Sequence, residues 1–148
     1  YYVYRKAGNA KSWTKIATVS KPGYIDKKVN NKTTYTYTIK AYGSKTTSGY
    51  NTTGWKTVYL DTPDMLSVKS TRSGITFKWA AVKGCTSYSV FRKEGNGPWV
   101  QLGSVNANTL SYTDKKVEMG VKYTYTVRAK YGNYLSWYEP NMSCAHKY

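Results

Sequence analysis

The side chains able to move a proton or hold a metal are few and scattered. One histidine, His146, stands near the end of the chain, and the carboxylates are Asp26, Asp61, Asp64, Glu94, Asp114, Glu118 and Glu139. General acid–base catalysis needs a donor and an acceptor within hydrogen-bond reach of one bond, and nucleophilic catalysis needs a base beside a hydroxyl or thiol. No spacing here points to either. Asp26 and Asp114 each precede the tripeptide Lys-Lys-Val, where an aspartate closes a strand and accepts hydrogen bonds from the turn backbone. Calcium needs clustered carboxylates and zinc needs closely spaced thiols or imidazoles, whereas these acids are dispersed and Cys85 and Cys144 lack ligand spacing. The reading is a chain that is not an enzyme, with no catalytic residue, metal or cofactor. The two cysteines can form one bridge or stay as buried thiols, and the second is favoured. A Lys–Asn isopeptide bond would need a buried acid beside the pair, and none can be nominated.

Aromatic residues carry more promise. Seventeen Tyr and five Trp exceed what the core of a chain this size requires. If Val90 points inward, Phe91 points outward and lies beside Trp99, as Tyr4 would lie beside Trp13. Such a pair offers a flat platform for a sugar ring, with Arg92 or Arg5 donating hydrogen bonds if they reach that face. The plainer reading, which we favour, is a cross-strand aromatic pair stiffening a sheet by roughly 0.2–1 kcal/mol. A second group, Tyr131, Tyr134, Trp137 and Tyr138, lies in or beside the loop "GNYLSWYEPN", flanked by Lys130. It could recognise a glycan or a host protein. The favoured alternative is an apolar loop capping the core end or touching a neighbouring domain.

The net charge of +16 favours anionic partners such as wall polymers, acidic glycans or lipid headgroups. Residues 1–61 hold eleven Lys/Arg against two acids and residues 62–148 hold twelve against five, which together make the 23 and 7 of the whole chain. Charge spread this evenly is a solvated surface. It lacks the concentration that tracks a phosphate backbone, so no specific nucleic-acid binding is expected. Lys27–Lys28 and Lys115–Lys116 recur at one repeat position and would form a basic ladder suited to anionic wall polymer. No apolar run is long enough to cross a bilayer, and there is neither a signal peptide nor an initiator Met, which suggests an excerpt of a longer polypeptide. The sequons at Asn31, Asn51 and Asn141 carry no weight if the source is bacterial.

The elements that must position these residues emerge from an internal repeat. "YIDKKV" from Tyr24 recurs as "YTDKKV" from Tyr112, and "YTYTIKA" from Tyr35 recurs as "YTYTVRA" from Tyr123. "YYVYRK" from Tyr1 matches "YSVFRK" from Tyr88, Trp13 matches Trp99, and Tyr50 matches Tyr138. Two units follow, 1–61 and 62–148. The second reads as seven strands: "MLSVKS", "GITFKWAAV", "TSYSVFRK", "PWVQLGSV", "LSYTD", "KYTYTVRAKY" and "SCAHKY". Ile75, Phe77 and Trp79 alternate on one face, as do Tyr123, Tyr125, Val127 and Ala129, the period of strands with one buried side. The pattern predicts an all-β protein built from antiparallel sandwiches.

Trp79, Tyr88, Val90 and the run from Val117 through Gly120 to Ala129 resemble fibronectin type III domains, particularly the tandem copies in surface and secreted proteins of Gram-positive anaerobes. The resemblance covers 62–148 and most of 1–61. It implies two tandem immunoglobulin-like sandwiches in an extracellular, wall-associated or secreted polypeptide. It also implies that Tyr123 is a buried corner tyrosine whose hydroxyl is tied to nearby backbone.

Because Tyr1 matches Tyr88, the first unit starts at its third strand and lacks the counterparts of 61–87. Tyr35, Tyr37 and Ile39 would then face water along an open groove, at roughly 1.5–3 kcal/mol per large side chain left uncovered. A boundary set without regard to the domain is the favoured explanation, and strand donation by a neighbouring subunit is the alternative. The short connection "LDTPD" predicts a semi-rigid rod. The function expected is a non-catalytic spacer or scaffold module with weak, salt-sensitive adhesion to anionic wall polymers, whose partners include neighbouring domains of the same polypeptide. The alternatives are an adhesin-type glycan- or host-protein-binding module and a strand-exchanging assembly subunit.

Overall fold

The structure is a computed structural model that describes residues 1–138 and 142–148. Glu139 and the sequon residue Asn141 therefore lie outside the described residues. The chain divides into two compact units, Tyr1–Tyr59 and Leu60–Tyr148. All regular elements are strands, and no described residue is helical.

In the second unit, β5 (Met65–Thr71), β6 (Gly74–Trp79) and β9 (Ser111–Asp114) form a three-stranded sheet in the order β5-β6-β9. The facing sheet runs β11 (Tyr134–Leu135), β10 (Lys122–Tyr131), β7 (Ser87–Glu94), β8 (Val100–Asn106), with β12 (Met142–Ala145) also paired to β10. All these pairings are antiparallel. β12 overlaps the start of the expected last strand "SCAHKY", and β11 is a short further strand within the segment expected to be a loop. The fold class is as expected, an antiparallel β-sandwich.

Its core follows from the period-two pattern. Ile75, Phe77 and Trp79 point from one sheet toward Tyr88, Val90, Tyr125, Val127 and Ala129 of the other, all essentially without solvent exposure. Phe77 stacks on Tyr125 with ring centroids 4.6 Å apart, and Trp79 meets Tyr88 edge-on at 5.5 Å. The β6–β9 pairing brings the Asp114 carbonyl so close to Gly74 (φ +122°) that a Cβ there would lie 2.1 Å from it, a contact only glycine tolerates. Tyr123 is buried, and its hydroxyl accepts a hydrogen bond from the Glu118 N–H at 3.2 Å. It therefore fills the corner role that the sequence resemblance implies. His146 is buried too, its Nδ1 3.0 Å from Ser70 Oγ, where it joins the end of the chain to β5. Both cysteines are free thiols, half-buried against the core. The Tyr88 hydroxyl is pushed up to about 12, by burial first and by its hydrogen bond to the Cys85 thiol second.

The first unit has one sheet only, β2-β1-β3-β4, from β1 (Tyr2–Ala7), β2 (Thr14–Thr18), β3 (Thr33–Lys40) and β4 (Trp55–Tyr59). The shared sequence gives shared detail. β1–β2 shifts register between Val3 and Tyr4, and β7–β8 shifts between Val90 and Phe91, so the same bulge occurs in both units. The Tyr35 hydroxyl accepts from the Asn30 N–H at 2.8 Å, repeating the corner. What differs is the inner face. Val127 is fully buried, whereas its counterpart Ile39 is 56% exposed. Tyr37 is half-buried, and Tyr35, expected to face water, is instead buried. The corner bond and the Arg5 guanidinium 5.0 Å over its ring account for that correction.

Replacing Phe77 by Ala is expected to lower the stability of the second unit by about 3–5 kcal/mol, because its ring packs against aromatic neighbours on both sheets. Urea unfolding followed by circular dichroism measures this, and a loss below about 1 kcal/mol would contradict the packing described.

Candidate functional site

Alternation along β7 sends Val90 inward and Phe91 outward, and the outer face of the sheet is where the candidate aromatic residues gather. Tyr138 is the centre of the cluster. It lies parallel to Trp99, with centroids 5.8 Å apart and planes 12° apart, and takes the edge of Phe91 at 5.7 Å. Phe91 is consequently only 8% exposed, and Thr126, its register partner on β10, is fully buried although it points away from the core. Phe91 and Trp99 are thus joined through Tyr138, a residue that the sequence alone assigns to the loop group.

Cations close the stack at both ends. Lys93 Nζ lies 5.1 Å from the Trp99 ring centroid, and the Arg128 guanidinium lies 4.5 Å from that of Tyr138. Arg128 is held there by a 2.6 Å bond from Nε to the Ser136 carbonyl. Ser136 is fixed in turn by backbone and side-chain bonds to Ala129. Trp137 packs edge-on to Tyr138 at 6.5 Å yet stays 78% exposed. Tyr131 and Tyr134 are register partners across the Gly132–Asn133 turn, with Gly132 at φ +57° as such a tight hairpin requires. They belong to the β10–β11 hairpin, whereas the stack is made by Phe91, Trp99 and Tyr138.

The first unit rebuilds the cluster with the counterpart residues but with inclined rings, Tyr4 and Tyr50 tilted at 49° and Trp13 edge-on to Tyr50 at 63°. Tyr50 meets Tyr4 at 5.6 Å and Trp13 at 5.9 Å, with Lys6 over Trp13 at 4.4 Å and Lys40 over Tyr50 at 4.5 Å. Thr38, the counterpart of Thr126, is buried beneath it and bonds the Asn51 carbonyl. Gly54 (φ +68°) lets Trp13 approach, since a Cβ there would come within 2.7 Å of the indole. Sequence reasoning misses these cations, although the signal is present. Lys40 and Arg128 end the matching "YTYTIK" and "YTYTVR" runs, and Lys6 and Lys93 end "YVYRK" and "SVFRK". Each cation–aromatic contact at a partly exposed site contributes roughly 0.5–1 kcal/mol.

Arg92 is expected to serve the platform if it reaches that face, and it does not. It is two residues beyond Val90 and so shares Val90's side of the sheet. There its Nη1 donates to Asp114 Oδ2 at 2.8 Å and to the Lys116 carbonyl, while its guanidinium covers the Tyr123 ring at 4.7 Å. The Tyr125 hydroxyl donates to the same carboxylate oxygen at 3.1 Å, and the Lys116 N–H donates to Oδ1 at 3.0 Å. Arg5, Asp26, Tyr37 and Lys28 repeat every one of these bonds, at 2.7, 3.0 and 3.0 Å to Asp26 and 2.6 Å to the Lys28 carbonyl. Both aspartates therefore have the turn-closing role expected of them. Burial pushes the Tyr37 and Tyr125 hydroxyls well above the ordinary phenol range, and the adjoining carboxylates push them further. For Asp26 burial acts upward, but the bonds from Arg5, the Lys28 N–H and Tyr37, with the charge of Arg5, outweigh it and hold the carboxyl below its usual value.

Among the described residues no three His, Cys, Asp or Glu side chains cluster as a metal site, and no helix is long and apolar enough to cross a membrane. No family model matches the chain. Over 97 residues it is 33% identical to a poly(3-hydroxybutyrate) depolymerase from Delftia acidovorans, covering 64% of this chain and 19% of that protein. The chain therefore spans about a fifth of the length of the curated relative it matches. Among solved structures it resembles an Fn3-like protein from Clostridium thermocellum, at 26% identity and a TM-score of 0.52, over 60% of this chain and 94% of that one. It also resembles the FN1–FN3 domains of chicken CNTN1, at 18% identity and a TM-score of 0.54, over 99% of this chain and 53% of that one. The fold is fibronectin type III-like.

Two outcomes are expected from this geometry. Tyr138→Ala should cost the second unit about 1–2 kcal/mol, because it removes the ring that joins Phe91, Trp99 and Arg128; thermal unfolding checks it, and an unchanged midpoint would contradict the stack. The depressed Asp26 pKa means that its stabilisation of the first unit is present above about pH 4 and lost as pH falls through the folded value. Asp26→Asn should therefore weaken β1–β3 protection at pH 7 but make little difference at pH 2, as amide resonances of those strands would report.

Proposed function

We propose that the chain is a non-catalytic spacer or scaffold portion of a larger extracellular or cell-surface bacterial polypeptide. The observation that carries this reading is the duplicated outer-face stack. Aromatic rings that would have to stay open to stack on a sugar are packed on one another, with Lys93 and Arg128, or Lys6 and Lys40, against their faces. A feature built alike in both units serves what the units have in common, which is the sheet. The two carboxylate locks support the same reading, since Asp26 and Asp114 are engaged by arginine, tyrosine and backbone.

The fibronectin type III-like fold and the small share of the depolymerase that the chain matches both fit a module carried by a larger protein. By that likeness, an enzyme that breaks down a polymer is one natural host. With a net charge of +16, the surface adds attraction to anionic wall polymers, and such attraction between exposed charges fades once salt shortens the screening length to about 8–10 Å.

A second reading has one observation in its favour. Trp137 stands 78% exposed beside Tyr138, where the first unit has Gly49 before Tyr50. It would anchor a glycan or host protein in an adhesin-type module.

Co-sedimentation with Gram-positive cell walls and a panel of polysaccharides separates the two. Binding that salt abolishes and Trp137→Ala leaves unchanged is the expected result. Binding that resists salt and requires Trp137 would overturn the spacer reading in favour of recognition.

A further inference from the structure

The outer face of the first unit's sheet carries a lysine in each of three successive cross-strand rows. Lys6 lies opposite Thr36, which lies opposite Lys56 on β4; Lys15 lies opposite Tyr4; Lys40 lies opposite Tyr2. Residues opposite one another share a face, and Tyr2, Tyr4 and Lys6 alternate with the inward Val3 and Arg5. Adjacent rows are two residues apart along β1, or about 7 Å. We infer that this face is a docking track for a linear polymer of phosphodiester-linked polyols, on the premise of the attraction to anionic wall polymers proposed above.

Charge complementarity is the first support. Asp61 belongs to the second unit, so Asp26 is the only acid within Tyr1–Tyr59, against eleven Lys and Arg. Asp26 lies on the opposite side of the sheet, where it lines the inner groove and pairs with Arg5. No carboxylate of this unit therefore neutralises the four lysines. Rows about 7 Å apart fall within one screening length at 0.1 M salt, so an anion meets them as one field.

Three of the lysines are also held in place. Lys6 Nζ lies 4.4 Å from the Trp13 ring centroid, Lys15 Nζ 4.4 Å from that of Tyr2, and Lys40 Nζ 4.5 Å from that of Tyr50. Side chains already ordered lose less rotamer freedom when a ligand arrives. An aromatic ring has no net charge, so the ammonium over it still presents a full cation to an anion.

Part of this track belongs to the first unit alone. Lys6 and Lys40 have the cations Lys93 and Arg128 as counterparts, which serve the stack common to both units. Lys15 and Lys56 do not. Gln101 is the residue opposite Phe91, and Ser143 is the residue opposite Thr124, at the matching places. Tyr2, which corresponds to Ser89, adds a further layer, stacked on Tyr42 at 4.4 Å with planes 8° apart. What both units share supports the sheet; cations that one unit adds to the same face serve something else.

The class of anion follows from which groups are open. Single-stranded nucleic acid gains much of its affinity from bases stacked on aromatic rings, and here Trp13, Tyr2 and Tyr50 carry ammonium groups over them. A polyol phosphate has no ring to stack. All four cations are lysines, point charges suited to a phosphate, and the unit's one arginine fork is committed to the Asp26 carboxylate.

Calorimetric titration of the whole chain with a purified glycerol phosphate teichoic acid at about 50 mM salt tests this. Lys15→Gln/Lys56→Gln is compared with Lys27→Gln/Lys115→Gln, which removes the same charge from exposed residues outside the strands. Gln already occupies the Lys15 place in the second unit, and equal thermal midpoints of the variants verify the fold. The face variant is expected to bind at least about tenfold more weakly than the other. Equal weakening would overturn the track and leave the diffuse attraction standing, whereas no binding by the unaltered chain would overturn both. Polygalacturonate or oligothymidylate bound as tightly, with the same dependence on Lys15 and Lys56, would overturn the assignment to a polyol phosphate.

Discussion

A β-sheet with one apolar face cannot stand in water alone, and everything distinctive in this molecule follows from how that requirement is met. In the second unit the face is met by β5, β6 and β9, and Ile75, Phe77 and Trp79 bury it completely. In the first unit the same face, drawn from nearly the same residues, has no second layer. The contrast is a controlled comparison within one chain. It separates what a strand owes to its own sequence from what it owes to its cover. Strands β1, β2 and β3 form and pair without the second sheet, and β1–β2 even keeps its bulge, while the segment after Tyr24 does not become a strand at all.

Interactions that lie within the sheet and its adjoining turn survive the loss. The arginine–aspartate–tyrosine lock, the corner tyrosine and the outer stack of tryptophan, tyrosine and cation are present in both units at closely similar distances. These contacts join strands β1 and β3, or β7 and β10, to the segments before and after them; the aspartate of the lock ends β9 of the opposite sheet in the second unit and keeps its bonds without a strand in the first. They make the outer face a second, thinner buried layer, which is why Thr38 and Thr126 are buried although they point away from the core. That economy of exposed aromatic surface is what turns the functional reading from recognition toward support.

Much of this is legible in the sequence, and the reasons are specific. Period-two alternation through Ile75, Phe77 and Trp79 and through Tyr123 to Ala129 marks the core directly. The repeat spacing shows the missing strands. Alternation also holds the answer for Arg92, since two residues past an inward valine is inward again. Contacts between residues far apart in sequence are harder to read. Nothing local to Tyr138 says that it will lie between Phe91 and Trp99, because its placement depends on Ser136 bonding Ala129 and on Arg128 reaching the Ser136 carbonyl. Tyr35 reads as a water-facing residue because its burial comes from a loop, through Asn30, and from Arg5 over its ring; loops carry no periodicity to read.

Hydrogen exchange along β3 and β10 tests the central claim most directly, because the runs Tyr35–Ala41 and Tyr123–Ala129 are almost the same peptide in two surroundings. If the missing layer is what distinguishes the units, the β10 amides should exchange at least about a hundredfold more slowly than those of β3, as expected for a covered core strand against an open one. Equal protection of the two runs would mean that the first unit is closed in solution, which contradicts an uncovered inner face.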